Sequence, residues 1–249
     1  MATSNWLTPS KRSAGARSRL FCFPYAGGGA SVFRTWHAAI PETVDVRAVQ
    51  LPGRESRLQV TPYLEMGPLA DAAVEAIGPA TDLPYAIFGH SMGALVGYEV
   101  ARRLARDGRP PALLVVSGHR APHLAPEGAP SHDLPDEELV REVERLNGMP
   151  REVLEHAELR ELFVPILRAD FRVCETYTYD AGEPLPCPIV AYGGLDDPEV
   201  SREALEAWRE QTTARFVARL FPGDHFFVVE HAPLVLRALV RDLAGAVPV

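Results

Sequence analysis

The strongest constraint on the fold is the stretch Tyr85–Ala94, which reads YAIFGHSMGA. Its first four residues are apolar, as in a buried strand, and apolar residues at helical spacing follow it through Leu104. Between strand and helix, Ser91 stands at a turn flanked by Gly89 and Gly93. Side chains at the two glycine positions would collide with the neighbouring strand and helix. The helix start directs free N–H groups toward Ser91, where they can stabilise a negatively charged oxygen.

The pattern G-x-S-x-G between a strand and a helix is the nucleophile elbow of the α/β-hydrolases, although the motif alone also fits a plain glycine-rich turn. Two later strands support the first interpretation. The apolar run 189–192 leads into GGLDDPE, and the run 215–220 leads into FPGDHFF. The order Ser91, Asp197, His225, each after a strand, is the order of the catalytic triad in this fold. Asp197 fits the Gly-x-x-Asp-Pro turn, and Asp196 is the alternative.

A second glycine-rich turn follows the first apolar strand, Arg19–Phe23, and reads PYAGGG. Glycines after a strand let the backbone approach a ligand closely, although a flexible turn explains them equally well. In an α/β-hydrolase this loop supplies one N–H group of the oxyanion hole. We place that group at Ala26.

The remaining pattern predicts an α/β fold, a mostly parallel central sheet flanked by helices. Three charged residues close together, Arg54, Glu55 and Arg57, fit a solvated surface turn, with a cluster at the edge of the site as the alternative. Further predicted elements are a helix capped by Ser31 and ending at Ala39, strands at 44–51 and 112–117, and helices at 66–77, 199–211 and 234–243.

From Ala121 to about Pro186 the alternation of strands and helices stops. Proline-broken sequence leads into predicted helices at 136–146, 151–156 and 158–177. We expect this segment, residues 121–186, to form a mobile helical lid over the carboxyl ends of the strands, where ligands bind in such sheets. The expected organisation is a disordered segment 1–18 and one hydrolase domain, 19–249.

Length, composition and charge argue against several classes of protein. A chain of 249 residues can form one large core, and no apolar run reaches the 18 residues of a membrane span. The net charge of −8 argues against non-specific nucleic-acid binding. Neither the histidines nor the three cysteines show metal spacing. We therefore expect a cytoplasmic monomer with reduced cysteines, no secretory signal, no metal and no bound cofactor.

Over residues 19–243 the sequence resembles the type II thioesterases, discrete editing enzymes of polyketide and nonribosomal peptide synthases. The resemblance rests on FPYAGG (23–28), QLPGRE (50–55), FGHSMGA (88–94), LRADF (167–171), YGG with its aspartates (192–197) and FPGDHFF (221–227). It implies hydrolysis of acyl groups from the phosphopantetheine arm of acyl or peptidyl carrier proteins. By resemblance Ser91 is the nucleophile, Asp197 and His225 complete the triad, and the Ala26 and Met92 amides form the oxyanion hole.

Alternatives remain within and outside this class. A carboxylesterase or an acyltransferase would share the fold and the triad, and a non-catalytic receptor would share the fold alone. Residues 127–161 carry 11 acidic residues against four arginines, a net charge of −7. Because carrier domains are generally acidic, we expect a carrier to approach elsewhere, near Arg54 and Arg57 or near Arg102, Arg103 and Arg106.

Overall fold

The computed structural model describes residues 6–9, 15–126, 128–145, 148 and 156–249. Its centre is one sheet of six parallel strands in the order β2-β1-β3-β4-β5-β6. The strands are β1 Ser18–Phe23, β2 Val44–Ala48, β3 Tyr85–His90, β4 Leu113–Ser117, β5 Ile189–Gly194 and β6 Phe216–Phe221. The predicted parallel sheet is confirmed, and the order places β3, which carries the elbow, in the middle.

Helices cover both faces of the sheet. They are α1 Met66–Ile77, α2 Met92–Arg106, α3 Asp136–Arg145, α4 Ala157–Glu175, α5 Arg202–Glu206, α6 Phe227–Glu230 and α7 Ala232–Ala244. Alternate strand residues enter two separate cores, because successive side chains point to opposite faces. Phe21 and Ile87 pack with α1 and α2, whereas Leu20 and Phe88 pack with α7. Burial on both faces explains the nearly continuous apolar strands.

The predicted helix from Ser31 to Ala39 is wrong. The chain instead forms two short 3-10 turns, Ala30–Phe33 and Trp36–Ala38. Ser31 does not cap a helix, because its hydroxyl donates to Oε1 of Glu55 at 2.5 Å. A side chain held by such a tertiary hydrogen bond no longer satisfies the backbone N–H groups of a helix start. The predicted helix 199–211 is shorter than expected, since α5 starts only at Arg202 and gives way to a 3-10 turn, 207–211.

Residues 6–9 lie against the sheet, which corrects the expectation of disorder for that part of segment 1–18. Leu7 pairs with Val49 in an antiparallel bridge, and the Thr8 N–H donates to the Ala48 carbonyl at 3.0 Å. Trp6 is buried, with the Arg57 guanidinium 4.2 Å from its ring centre. Burial of the large Trp6 side chain stabilises this conformation although the sequence around it is polar.

The segment predicted as a lid contains α3 and α4, which lie between β4 and β5 in the chain. The two helices share a small core of their own, formed by Leu139, Val140, Val143, Val164 and Leu167. Residues 151–155 of the predicted helix 151–156, and residue 146 of the helix predicted at 136–146, lie outside the described residues, whereas His156 is extended and precedes α4. Of the helices that the structure describes, none is both long and apolar enough to cross a bilayer.

Candidate active site

Ser91 occupies the sharp turn between β3 and α2. Its backbone has φ 53° and ψ −122°, a conformation that side-chain-bearing residues rarely adopt. The Ser91 N–H donates to the carbonyl of Ser117, at the end of β4, at 2.7 Å. A Cβ at Gly89 would collide with the Gly93 backbone, and one at Gly93 would collide with the Phe23 backbone. The predicted requirement for glycine at both positions is therefore a direct steric one.

A chain of hydrogen bonds joins the three residues expected to form the triad. Oγ of Ser91 lies 3.0 Å from Nε2 of His225, and Nδ1 of His225 lies 3.0 Å from Oδ2 of Asp197. The Asp197 side chain is fully buried, and its Oδ1 accepts the Glu199 N–H at 2.9 Å. The Asp197 carboxylate is thus fixed on both oxygens, which orients the imidazole toward Ser91. The arrangement can transfer a proton from the serine to a histidine whose cation has a carboxylate partner.

The neighbouring aspartate takes a different position. Asp196 is exposed, and its backbone N–H donates to the Gly223 carbonyl at 3.0 Å. Because the two aspartates are adjacent in the chain, the turn after β5 directs one carboxylate to His225 and the other to solvent. The structure therefore places Asp197, and not the alternative Asp196, beside His225.

Two further histidines lie near His225 and were not assigned a role from the sequence. His90 is fully buried, with its ring centre 5.3 Å from that of His225, and its Nδ1 is 2.9 Å from Oγ of Ser117. Burial lowers the pKa of His90 well below its ordinary value and lowers the pKa of His119 to about 4. Both rings are therefore neutral near pH 7, so neither adds a positive charge that would oppose protonation of His225.

Two backbone N–H groups, those of Ala26 and Met92, are predicted to form the oxyanion hole. Met92 is the first residue of α2, so its N–H has no acceptor within that helix. In the loop after β1, the Gly28 N–H donates to the Tyr25 carbonyl at 2.9 Å and the Gly27 N–H donates to Oδ2 of Asp170 at 2.7 Å. Among the described residues no group accepts the Ala26 N–H. Ala26 and Met92 are thus the amides available to bind an oxygen.

A buried ion pair borders the same loop. Nη1 of Arg54 lies 2.5 Å from Oδ2 of Asp170, and Nη2 lies 2.8 Å from Oδ1. Both side chains are 5% exposed. The surface-turn interpretation is therefore wrong for Arg54, and the site-edge alternative is right. Asp170 was not assigned a role from the sequence, although both residues lie in segments that carry the family resemblance, QLPGRE and LRADF.

The α2 arginines suggested as a carrier surface differ in exposure, and Arg106 is the exposed one of the three. Arg102 is buried against Glu99, and Arg103 pairs with Asp71 and Glu99. Arg102, Arg103 and Arg106 lie in the last turns of α2, roughly 16–23 Å along the helix from Ser91 at 1.5 Å per residue. Approach of a carrier near Arg54 and Arg57, or near Arg102, Arg103 and Arg106, stays a prediction.

In the described ranges, no group of three or more histidine, cysteine, aspartate or glutamate side chains is arranged to hold a metal ion.

Comparison with known proteins assigns the chain to a family. The sequence model of the thioesterase domain family matches residues 18–243. The chain belongs to the thioesterase family. It is 43% identical over 241 residues to the gramicidin S biosynthesis protein GrsT of Aneurinibacillus migulanus, covering 96% of this chain and 94% of that protein.

Solved structures place it among the type II members of the family. The RedJ thioesterase of prodiginine biosynthesis from Streptomyces coelicolor superimposes with a TM-score of 0.86 at 44% identity, over 92% of this chain and 87% of that one. The type II thioesterase BorB of the borrelidin cluster gives a TM-score of 0.90 at 36% identity, over 98% and 99% of the two chains. The predicted resemblance and the α/β-hydrolase fold are confirmed.

Proposed function

We propose that this thioesterase removes aberrant or stalled acyl groups from the phosphopantetheine arm of acyl or peptidyl carrier proteins in polyketide or nonribosomal peptide biosynthesis. The observation that carries the proposal is the hydrogen-bonded chain Ser91–His225–Asp197 in a protein of this family. The carrier protein enters by analogy with relatives that belong to such pathways. The protein would act in the cytoplasm, where its three free cysteines stay reduced.

In the first half of the reaction, Ser91 Oγ attacks the thioester carbonyl while His225 Nε2 takes the hydroxyl proton. Asp197 stabilises the imidazolium that forms. The carbonyl oxygen becomes an oxyanion held by the Ala26 and Met92 amides, and removing one such donor in comparable sites costs on the order of 3 kcal/mol. The C–S bond then breaks, the acyl group stays on Ser91, and the pantetheine thiol leaves with the proton from His225.

In the second half, water replaces the thiol. His225 takes a proton from the water as its oxygen attacks the acyl-serine carbonyl, and the same two amides bind the second oxyanion. When the C–O bond to Ser91 breaks, His225 returns the proton to Oγ. The products are the free acid and the regenerated enzyme. No group beyond the protein and water is needed to balance either half.

Mass spectrometry of a carrier protein loaded with acetyl, propionyl or longer acyl groups tests the proposal. We expect the acyl mass to disappear with the wild-type protein, leaving free phosphopantetheine, and to persist with Ser91→Ala. Activity on oxygen esters with none on any acyl carrier would favour a carboxylesterase. Acyl transfer to an added alcohol or amine would favour an acyltransferase.

The two adjacent aspartates provide a matched pair of variants for the triad. Asp197→Asn should lower kcat by about 10⁴-fold, as loss of the carboxylate does in comparable triads. Asp196→Asn should retain nearly full activity because its side chain is exposed. Equal losses in the two variants would contradict the proposed role of Asp197.

A further inference from the structure

The Arg54–Asp170 pair connects three separate parts of the chain beside the candidate site. Arg54 follows β2, Asp170 lies in α4, and both contact the loop after β1. Oδ2 of Asp170 accepts both the Arg54 Nη1 proton at 2.5 Å and the Gly27 N–H at 2.7 Å. Nη1 of Arg54 also donates to the Gly28 carbonyl at 3.3 Å, and Nε donates to the Pro52 carbonyl at 3.1 Å.

These contacts fix the orientation of the Ala26 amide through the planarity of the peptide bond. The Ala26 N–H lies in the same plane as the Tyr25 carbonyl, which accepts the Gly28 N–H at 2.9 Å. The next plane contains the Gly27 N–H, which Asp170 holds. Both peptide planes that meet at the Ala26 Cα are therefore restrained by hydrogen bonds, and Asp170 supplies one of them.

Helix α4 also packs directly on this loop. Gly27 has φ +76°, and a Cβ placed there would lie 2.8 Å from Leu167 Cδ2 and 2.9 Å from Phe163 Cζ. Apolar packing from Leu167 and charge-assisted hydrogen bonding from Asp170, one helical turn apart, thus act on the same glycine. The carboxyl-terminal half of α4 therefore forms one side of the candidate site. Helix α4 cannot move away from the loop without changing the site.

We propose that Arg54 and Asp170 are positioning residues for the oxyanion hole, which they act on through the Gly27 and Gly28 backbone. The inference rests on the proposed function, because it assumes that Ser91 attacks a carbonyl and that Ala26 binds the resulting oxyanion. It adds that the lid helix and the oxyanion hole form one hydrogen-bonded unit. A displacement of α4 at Asp170 would then switch off the chemical step as well as open the site.

The test uses an alkyl trifluoromethyl ketone labelled with ¹³C at the carbonyl. Ser91 Oγ forms a bond to that carbon, the carbonyl π electrons move to oxygen, and the Ser91 proton passes to His225. The pKa of the hemiketal hydroxyl, followed by ¹³C NMR, reports stabilisation of the oxyanion and needs no carrier protein. It is measured on active protein, counted by titration of Ser91 with a fluorophosphonate.

We expect Asp170→Asn, which has nearly the same shape, to raise the hemiketal pKa above the wild-type value. In parallel, kcat for a short acyl-pantetheine thioester should fall by about 10²-fold while KM changes little, as after loss of one oxyanion donor. Arg54→Lys, which keeps the charge but loses the paired geometry, should give a smaller shift in the same direction. If Asp170→Asn does not fold, the Arg54→Lys result alone decides.

Glu99→Gln is the matched control. Glu99 is a buried acid that bonds Arg102 and the Tyr177 hydroxyl at 2.9 Å each, and so links α2 to the chain just beyond α4 without touching the loop after β1. It should lower thermal stability and leave the hemiketal pKa unchanged. A wild-type hemiketal pKa in both Asp170→Asn and Arg54→Lys, or an equal shift in Glu99→Gln, would overturn the inference. No adduct with the wild-type protein would instead overturn the role of Ser91, and this inference with it.

Discussion

Among the ion pairs of the described residues, two join α4 and α3 to the body of the protein and differ mainly in burial. Asp170 in α4 meets Arg54 at 2.5 Å, and Arg145 at the end of α3 meets Glu199 at 2.9 Å. The first pair is 5% exposed on both sides, whereas Arg145 and Glu199 are 50% and 40% exposed. Similar distances therefore imply very different energies, because water screens the second pair and not the first.

The buried pair also has partners that the exposed pair lacks. Asp170 also accepts a backbone N–H of the loop after β1, so its carboxylate orients that loop as well as attracting Arg54. Arg145 shares its guanidinium between Glu199 and Glu142, and Arg145 lowers the pKa of Glu142. The comparison teaches that α4 is attached to the body of the protein by a specific, desolvated contact. The end of α3 is attached by solvent-exposed charges.

The largest expected effect follows from breaking the buried pair on one side. Arg54→Met leaves the Asp170 carboxylate buried without its cation, which should lower the free energy of unfolding by roughly 3–5 kcal/mol. Urea denaturation measures the change. A loss below about 1 kcal/mol would mean that water reaches Asp170 and that the two pairs are alike.

Removing both charges sharpens the comparison. Arg54→Met combined with Asp170→Leu replaces the pair by apolar groups, which is often close to neutral for stability. The Gly27 N–H then loses its acceptor, so a net loss of about 1–3 kcal/mol should remain. Hydrolysis should stay as low as in Asp170→Asn, because stability returns without the geometry. Recovery of activity together with stability would show that the pair has only a structural role.

A smaller effect is expected at Gly27 itself. Gly27→Ala forces a side chain into the left-handed region, at roughly 1–2 kcal/mol, and pushes it against Leu167 and Phe163. Gly108→Ala is the matched control, since Gly108 has φ +73° with nothing within 4 Å of an added Cβ. The difference between the two variants in denaturation isolates the contact with α4. Equal losses would indicate that α4 yields easily at this point.

The smallest effect is expected from the exposed pair. Glu199→Gln keeps the backbone N–H that binds Asp197 and removes only the charge that meets Arg145. The free energy of unfolding should change by less than about 1 kcal/mol at low salt and by almost nothing at 1 M NaCl, where the screening length is about 3 Å. Thermal denaturation at the two salt concentrations measures this. A salt-independent loss would mean that the pair is less exposed than its surface area indicates.

Local patterns predicted much of this protein because their causes are local. The elbow needs glycine on both sides of Ser91, since backbone of the next turn and of β1 occupies the space of a Cβ. Buried parallel strands need continuous apolar runs, so five of the six strands stand within two residues of their predicted ends. The order of Ser91, Asp197 and His225 followed from strands that end at one edge of a sheet.

Other features depended on contacts between distant residues. Arg54 and Asp170 are 116 positions apart, and the sequence gives no signal that they meet or that both reach Gly27. Trp6 lies in a segment of polar composition, and only the surface offered by the chain around Val49 and Arg57 makes its burial favourable. Ser31, which was expected to cap a helix, instead donates a hydrogen bond to Glu55.

The sequence by itself therefore determined the sheet, the elbow and the family, because steric fit at a turn and burial of strands act over a few residues. The sequence favoured Asp197 over Asp196, and tertiary structure decided between them, since only Asp197 lies on the side of the turn that faces His225. Tertiary structure alone decided that α4 belongs to the candidate site. The Arg54–Asp170 ion pair loses its water only when separate segments of the chain fold around it. The hydrogen bonds that a buried pair requires form at the same point.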